Sequence, residues 1–444
     1  MGKFTLYNDD CLKILKTLPD NSIDSCVTDP PYGLSFMGKH WDYDVPSKEI
    51  WAEVLRVLKP GGHLLSFGGS RTYHRMACAI EDAGFEIRDQ IMWLYGSGFP
   101  KSHNIGKAID NAAGATRKIL GTKISKSGGM AHIMKTNKDQ GFRPNDYYKQ
   151  KGNFIEITEP ATDGAKQWEG WGTALKPAHE PIVVARKPLA EKTVAENVLK
   201  YGTGAINIDG CRVGLVEGDD PRLGGKGSWK TDKAAKNVYE GGYAGNDISS
   251  SPLGRWPANV IHDGSDEVIS GFPKTTSGAM KRTVDAYEGE GVTGFLRGNS
   301  GPHNQHGDSG SAARFFYCAK ASKSDRDEGL DKFLTKKIVT FQTGGGASGK
   351  PSSISAGRKT EYKNSHPTVK PTELMKYLVK LVTPQGGIVL DPFMGSGSTG
   401  KACGFEGYKF IGIERDPDYY EIAEARIEHA YRKETISLED FFTD

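Results

Sequence analysis

Asp29-Pro30-Pro31-Tyr32 closes an apolar run, Ile23 to Thr28, near the start of the chain. A carboxylate, two rigid prolines and an aromatic ring are parts that can hold an aromatic amine for attack. The carboxylate and a proline carbonyl accept the amine's hydrogens, which leaves the nitrogen lone pair free. The Tyr32 ring offers a face on which a base turned out of a helix can stack. The plainer reading is a strand that ends in a Pro-Pro turn with Tyr32 packing in a core. The tetrapeptide alone leaves both open.

A second constellation, Gly387 to Gly400, reads as an apolar strand (Ile388-Val389-Leu390-Asp391), a glycine-rich turn (Pro392-Phe393-Met394-Gly395-Ser396-Gly397) and a helix beginning near Ser398. Glycines in such a turn let backbone approach a ligand closely. A further strand, Lys409 to Ile413, ends in Glu414, at the spacing where nucleotide-binding α/β units place a ribose-binding acid. Gly395 to Lys401 also fits the phosphate-loop spacing, but Ala402 stands where a magnesium-binding Ser or Thr is needed. Asp391 at the lead-in repels phosphate and favours a cationic ligand. S-adenosylmethionine, with its sulfonium and ammonium, meets that requirement.

Together these motifs resemble the amino-methyltransferases of the DNA methylase family, which modify adenine N6 or cytosine N4. In particular they resemble the permuted β group, in which the D-P-P-Y element precedes the F-x-G-x-G element, here Phe393 to Gly397. Supporting matches are Asn8-Asp9-Asp10-Cys11, Lys176 to Ile182, and His366-Pro367-Thr368-Val369-Lys370-Pro371. The resemblance implies catalysis by Asp29, Pro30, Pro31 and Tyr32. It implies that Asp10 contacts the cofactor adenine and Glu414 its ribose. Asp391, Pro392, Phe393, Met394, Gly395, Ser396 and Gly397 would hold the methionine portion, with Thr368 and Lys370 near the same pocket. Asp rather than Ser at position 29 favours adenine N6. The implied substrate is double-stranded DNA, the cofactor S-adenosylmethionine with no metal, and the setting the cytoplasm of a prokaryotic or phage-infected cell. A homodimer and a separate restriction endonuclease are both compatible with it. RNA or protein amines, or a silent DNA-binding regulator, are the rival readings.

The 444 residues suffice for two or three modest domains, but 37% hydrophobic content and 56 glycines put much of the chain in loops and surface. No apolar run approaches a membrane span, and the N-terminus lacks a signal-peptide core. The six cysteines show no C-x-x-C spacing, which argues against zinc and against a disulfide framework. The net charge of +3 is unevenly spread. Residues 1–100 carry −3 and 371–444 carry −5, whereas 101–200 carry +7 and 301–370 carry +6. The segments with the chemical motifs are acidic and most of the chain between them is basic, as gripping a polyanion requires. Ordinary solvated lysines explain the same count.

Strand-like runs alternate with helical ones through residues 22–94, which predicts a parallel sheet covered on both faces. The expected elements are a strand over 22–29, a helix from Ile50 to Leu58 stopped by Lys59-Pro60-Gly61-Gly62, a strand from His63 to Phe67, a helix near 71–83 and a strand from Phe85 to Leu94. The expected fold class is α/β: a Rossmann-like methyltransferase sheet, circularly permuted, with an inserted basic target-recognition domain. The expected division is a catalytic half over 1–104, a basic insertion over 105–164, a returning core strand within 165–190, a target-recognition region over 191–340, a flexible loop over 341–364, and a cofactor-binding half over 365–444. Leu34 to Trp41 either closes over the site as a loop or places Phe36 and Trp41 in the core.

Overall fold

The computed structural model describes residues 3–34, 44–98, 102–126, 129–134, 153–214, 253–277, 308–319, 322, 325–334, 336–339 and 359–441. They form two units, one of Met1–Gly96, His179–Phe333 and Asn364–Asp444, the other of Ser97–Ala178 and Leu334–Lys363.

The first unit is built on a nine-stranded sheet. Its strands are β1 (Phe4–Tyr7), β2 (Ile23–Thr28), β3 (Leu58–Phe67), β4 (Glu86–Leu94), β5 (His179–Arg186), β6 (Val260–His262), β7 (Tyr317–Cys318), β8 (Ile388–Asp391) and β9 (Lys409–Ile413). Their order across the sheet is β1-β9-β8-β2-β3-β5-β4-β6-β7. The N-terminal and C-terminal segments therefore interleave, with β8 paired to β2 and β1 paired to β9. All pairings are parallel except those of β5, which runs antiparallel to both its neighbours. This is a mixed α/β fold with a large, mostly parallel sheet.

The central strands are apolar on both sides because both faces are covered. Val27, Leu65, Val389 and Phe410 share one core with Leu374, Leu378, Ala402, Ala423 and Ile427. Their strand neighbours Cys26, Leu64, Leu390 and Ile411 point the other way, into a core with Trp51, Val54, Met76 and Ile80. The second core draws on helices α1 (Cys11–Leu15), α2 (Lys48–Val57) and α3 (Tyr73–Asp82). Past α4 (Val194–Tyr201), the first core draws on α5 (Thr372–Val382), α6 (Ser398–Glu406) and α7 (Pro417–Phe441). Each fully buried Leu or Val contributes about 1.5–3 kcal/mol of transfer free energy, so the side chains on both faces of the sheet reinforce its register.

Lys59-Pro60-Gly61-Gly62 follows α2 as the expected break: within the span of β3 these four residues drop out of the register between Leu58, opposite Ile23, and His63, opposite Ser25, and Gly61 has φ +80°. The Pro60 carbonyl accepts from Asn197 Nδ2 at 2.8 Å and Thr203 Oγ1 at 2.6 Å, so partners far along the chain hold this break in place. The region 191–340 also supplies α4, β6 and β7 to the first unit. Val260-Ile261-His262 and Tyr317-Cys318 are too short to read as strands without knowing the sheet edge they join. Much of that region, and most of the expected loop over 341–364, lies outside the described residues, as do residues 35–43.

The second unit contains a three-stranded antiparallel sheet of Lys118–Lys126, Gly129–Met134 and Asn153–Glu159, a hairpin of Lys336–Val339 with Lys359–Tyr362, and helices Ile105–Ala112 and Asp163–Gln167. Buried Asp110 accepts from Thr162 N at 2.9 Å and Thr162 Oγ1 at 2.8 Å, which ties the two helices. No helix among the described residues is long and apolar enough to cross a membrane.

Candidate active site

Ligands of open parallel sheets bind beyond the carboxyl ends of the strands. Asp10 follows β1, Asp29 follows β2, Asp391 ends β8 and Glu414 follows β9. Because β5 is antiparallel, its beginning lies at this same edge, and that brings Glu180 to the others. Thr28 Oγ1 donates to Asp391 Oδ1 at 2.6 Å, across 363 positions of chain, and so joins the two sequence motifs.

Asp29 is the centre of a partly buried polar cluster. Its Oδ1 accepts from the Tyr32 hydroxyl at 2.7 Å and its Oδ2 from Lys370 Nζ at 2.6 Å. Glu180 Oε2 lies 3.1 Å from the Tyr32 hydroxyl and 3.3 Å from Lys370 Nζ. The ammonium also sits 4.9 Å from the Phe67 ring centroid and 5.5 Å from that of Tyr32. Burial alone would depress the Lys370 pKa, but the Asp29 and Glu180 carboxylates outweigh it and raise it. Burial, then the same two carboxylates, push the Tyr32 phenol well above its ordinary value. The cluster thus holds a charged lysine and a neutral tyrosine against two carboxylates. Pro30 is buried and Pro31 half-buried directly after Asp29.

The glycine turn follows β8. Gly395 and Gly397 have φ of +54° and +78°, a region closed to most side chains. A Cβ on Gly395 would come within 3.0 Å of His366 Nε2. Glu414 spans the turn: its Oε2 accepts from Gly395 N and its Oε1 from Asp416 N, both at 2.8 Å. Each carboxylate oxygen has a second lone pair, so one acceptor site remains on each, the number a ribose diol needs. Burial raises the Glu414 pKa to about 7 against the effect of these two N–H bonds. Asp10 is exposed, and its side chain caps α1 through Lys13 N at 3.2 Å. These groups fit a nucleoside with a cationic tail.

Other residues of the motif face inward. Asp391 is 2% exposed and accepts from Thr28 Oγ1, Thr399 Oγ1 and Phe393 N, with burial lifting its pKa to about 6. These bonds tie Asp391 into the turn. Pro392 and Met394 are buried, and the Phe393 ring meets Trp51 edge-on at 6.3 Å, so these residues offer a ligand mainly backbone. Ser396 is buried, its carbonyl and Oγ both accepting from Arg426 Nη1. The Thr368 carbonyl accepts from His366 Nδ1, whose ring burial lowers to a pKa of about 4. Lys370, expected near the cofactor pocket, has its ammonium at Asp29.

Two residues escaped the sequence reading. Glu180 is the second residue of β5, a lone carboxylate before the buried Ile182-Val183-Val184-Ala185, and that misplaced charge was its available signal. Arg426 interrupts the apolar face Ile422-Ala423-Ile427-Ala430 of α7 and is fully buried beneath the glycine turn. Lys401, the lysine of the phosphate-loop spacing, is fully buried and pairs with Glu328 at 2.8 Å, consistent with rejecting that motif.

The profile of the N6/N4 methyltransferase family, described as DNA methylase, matches residues 23–425. The chain is 40% identical over 68 residues to the Type II methyltransferase M2.DpnII of Streptococcus pneumoniae, covering 15% of this chain and 25% of that one. It is 38% identical over 70 residues to M2.LlaDCHI of Lactococcus lactis subsp. cremoris, covering 16% and 26%. These alignments span only about a quarter of each curated relative. Among solved structures, the M1.HpyAVI-SAM complex aligns over 96% of this chain and 99% of its own, at 14% identity and a TM-score of 0.33. The PvuII DNA methyltransferase (cytosine-N4-specific) aligns over 97% and 92%, at 12% identity and a TM-score of 0.38. With a family profile that spans most of its length, the chain belongs to the N6/N4 DNA methylase family.

Proposed function

We propose that this protein transfers a methyl group from S-adenosylmethionine to the exocyclic N6 of an adenine flipped out of double-stranded DNA. The observation that carries the reading is the Thr28–Asp391 bond of 2.6 Å, which sets the amine-holding Asp29 beside the glycine turn at one edge of the sheet. When bound, S-adenosylmethionine supplies an electrophilic methyl whose bond to sulfur breaks with its electron pair on sulfur.

This chain's own residues do the positioning, which is most of what such a displacement needs. The remaining lone pairs of Asp29 and the Pro30 carbonyl accept the amine's hydrogens and turn its nitrogen lone pair toward the methyl group. After attack, the nitrogen sheds its extra proton through Asp29 to solvent. Glu414 and Asp10 hold the ribose and adenine of the cofactor, and the Gly395 to Gly397 backbone its methionine end. The motif order is the permuted one, catalytic before cofactor-binding. Stretches rich in Lys and Arg, within 101–200 and 301–370, supply the grip on phosphate and, with 191–340, the site selection.

Unmethylated DNA incubated with the protein and S-adenosylmethionine, digested to nucleosides and analysed by mass spectrometry, tests the base assignment. N6-methyladenine is expected. N4-methylcytosine would overturn the choice of base while leaving the amine chemistry. No methylated base in DNA, with cofactor bound, would move the reading to RNA or protein amines.

A further inference from the structure

We infer that Glu180 and Lys370 are a positioning pair that sets the net charge around the reacting amine, an inference that rests on the proposed amine methylation. Asp29 and Glu180 are two carboxylates on one ammonium, with Lys370 Nζ at 2.6 Å and 3.3 Å from them. Lys370 is 8% exposed, and the two carboxylates 22% and 21%, so water screens the cluster weakly. With Lys370 charged and Tyr32 neutral, the cluster carries one net negative charge. The amine nitrogen gains positive charge as its lone pair forms the bond to methyl. A fixed negative charge where positive charge develops lowers the barrier without reorganisation.

Asp29 alone does not provide this, because Lys370 neutralises it. Glu180 is the charge left over. Its Oε2 also lies 3.1 Å from the Tyr32 hydroxyl, beside the ring next to which the base must sit. The arrangement depends on β5 being antiparallel, which is what delivers a carboxylate from a third segment of chain to this edge.

The test compares single-turnover and steady-state methyl transfer by wild type, Glu180→Gln, Glu180→Asp and the double variant Glu180→Gln with Lys370→Met. Calorimetric binding of S-adenosylmethionine serves as the check on folding. Glu180→Gln should lose roughly 100-fold in kcat, with KM for DNA and cofactor nearly unchanged, the signature of an interaction made in the transition state. Glu180→Asp should recover part of the loss. The double variant leaves Asp29 as the sole charge and should turn over roughly 10-fold faster than Glu180→Gln alone. A Glu180→Gln variant with wild-type kcat, or a double variant slower than the single, overturns the inference while the methylation reading stands. A wild-type chain that methylates no amine overturns both.

Discussion

At the scale of single residues, Glu414 has two duties that pH separates. Its carboxylate already accepts two backbone N–H groups and must be ionised to accept two ribose hydroxyls as well. Burial raises its pKa from 4.5 to about 7, so cofactor affinity should strengthen as pH rises through about 7. Calorimetry from pH 6 to 8 should show that rise in wild type, and a weak, flat response in Glu414→Gln. The same shift acts oppositely on the free chain. A folded pKa above the unfolded one favours protonation, so this group's contribution to stability falls as pH rises between 4.5 and about 7. Asp29, Tyr32, Gly395, Gly397 and Glu414 were legible in sequence because each sits at a strand end beside a turn that demands its residue type. Glu180 and Arg426 were not, because their meaning depends on partners 148 and 30 positions away, Tyr32 and Ser396.

At the scale of elements, the glycine turn is held from beneath by α7. Arg426 donates to the Ser396 carbonyl and Oγ and, at 2.8 Å, to the Asp325 carbonyl. Arg426→Ala leaves buried acceptors without donors, each costing about 1–3 kcal/mol. Chemical denaturation should therefore show a lower midpoint, and cofactor binding should weaken with it. Gly397→Ala meets a different obstacle. At φ +78° its new Cβ would lie 3.0 Å from Ala423 Cα, and the left-handed conformation alone costs about 1–2 kcal/mol. A loss of stability comparable to that of Arg426→Ala is expected in the same assay. The strand-turn-helix unit around this turn was visible from its periodicity, as were β2 and α3. The stop at Lys59-Pro60-Gly61-Gly62 was readable because Pro and Gly signal a break locally, whereas the bonds from Asn197 and Thr203 to the Pro60 carbonyl depend on residues far along the chain.

At the scale of the whole molecule, the acidic ends of the chain build one sheet and much of the basic charge lies between them. Both ends must fold together for Asp29 and Asp391 to meet, so cofactor binding and folding of the first unit should be coupled. The second unit carries exposed lysines, among them Lys107, Lys118 and Lys176. Changing these three to Glu should weaken DNA binding at low salt and lower the slope of log affinity against log salt by up to about three. S-adenosylmethionine affinity should stay the same. The edge strands β6 and β7 show why the architecture was only partly readable. Strands of 3 and 2 residues carry no periodicity of their own and exist because β4 offers them an edge.

The central claim is that Asp29 holds an amine of DNA for methylation. Its most direct test is methyl-labelled S-adenosylmethionine with unmethylated DNA, comparing wild type with Asp29→Ala and confirming cofactor binding in both. Label in DNA from wild type, falling by about 10³-fold or more in Asp29→Ala while cofactor affinity holds, is the predicted result. Equal labelling by both proteins would contradict the account.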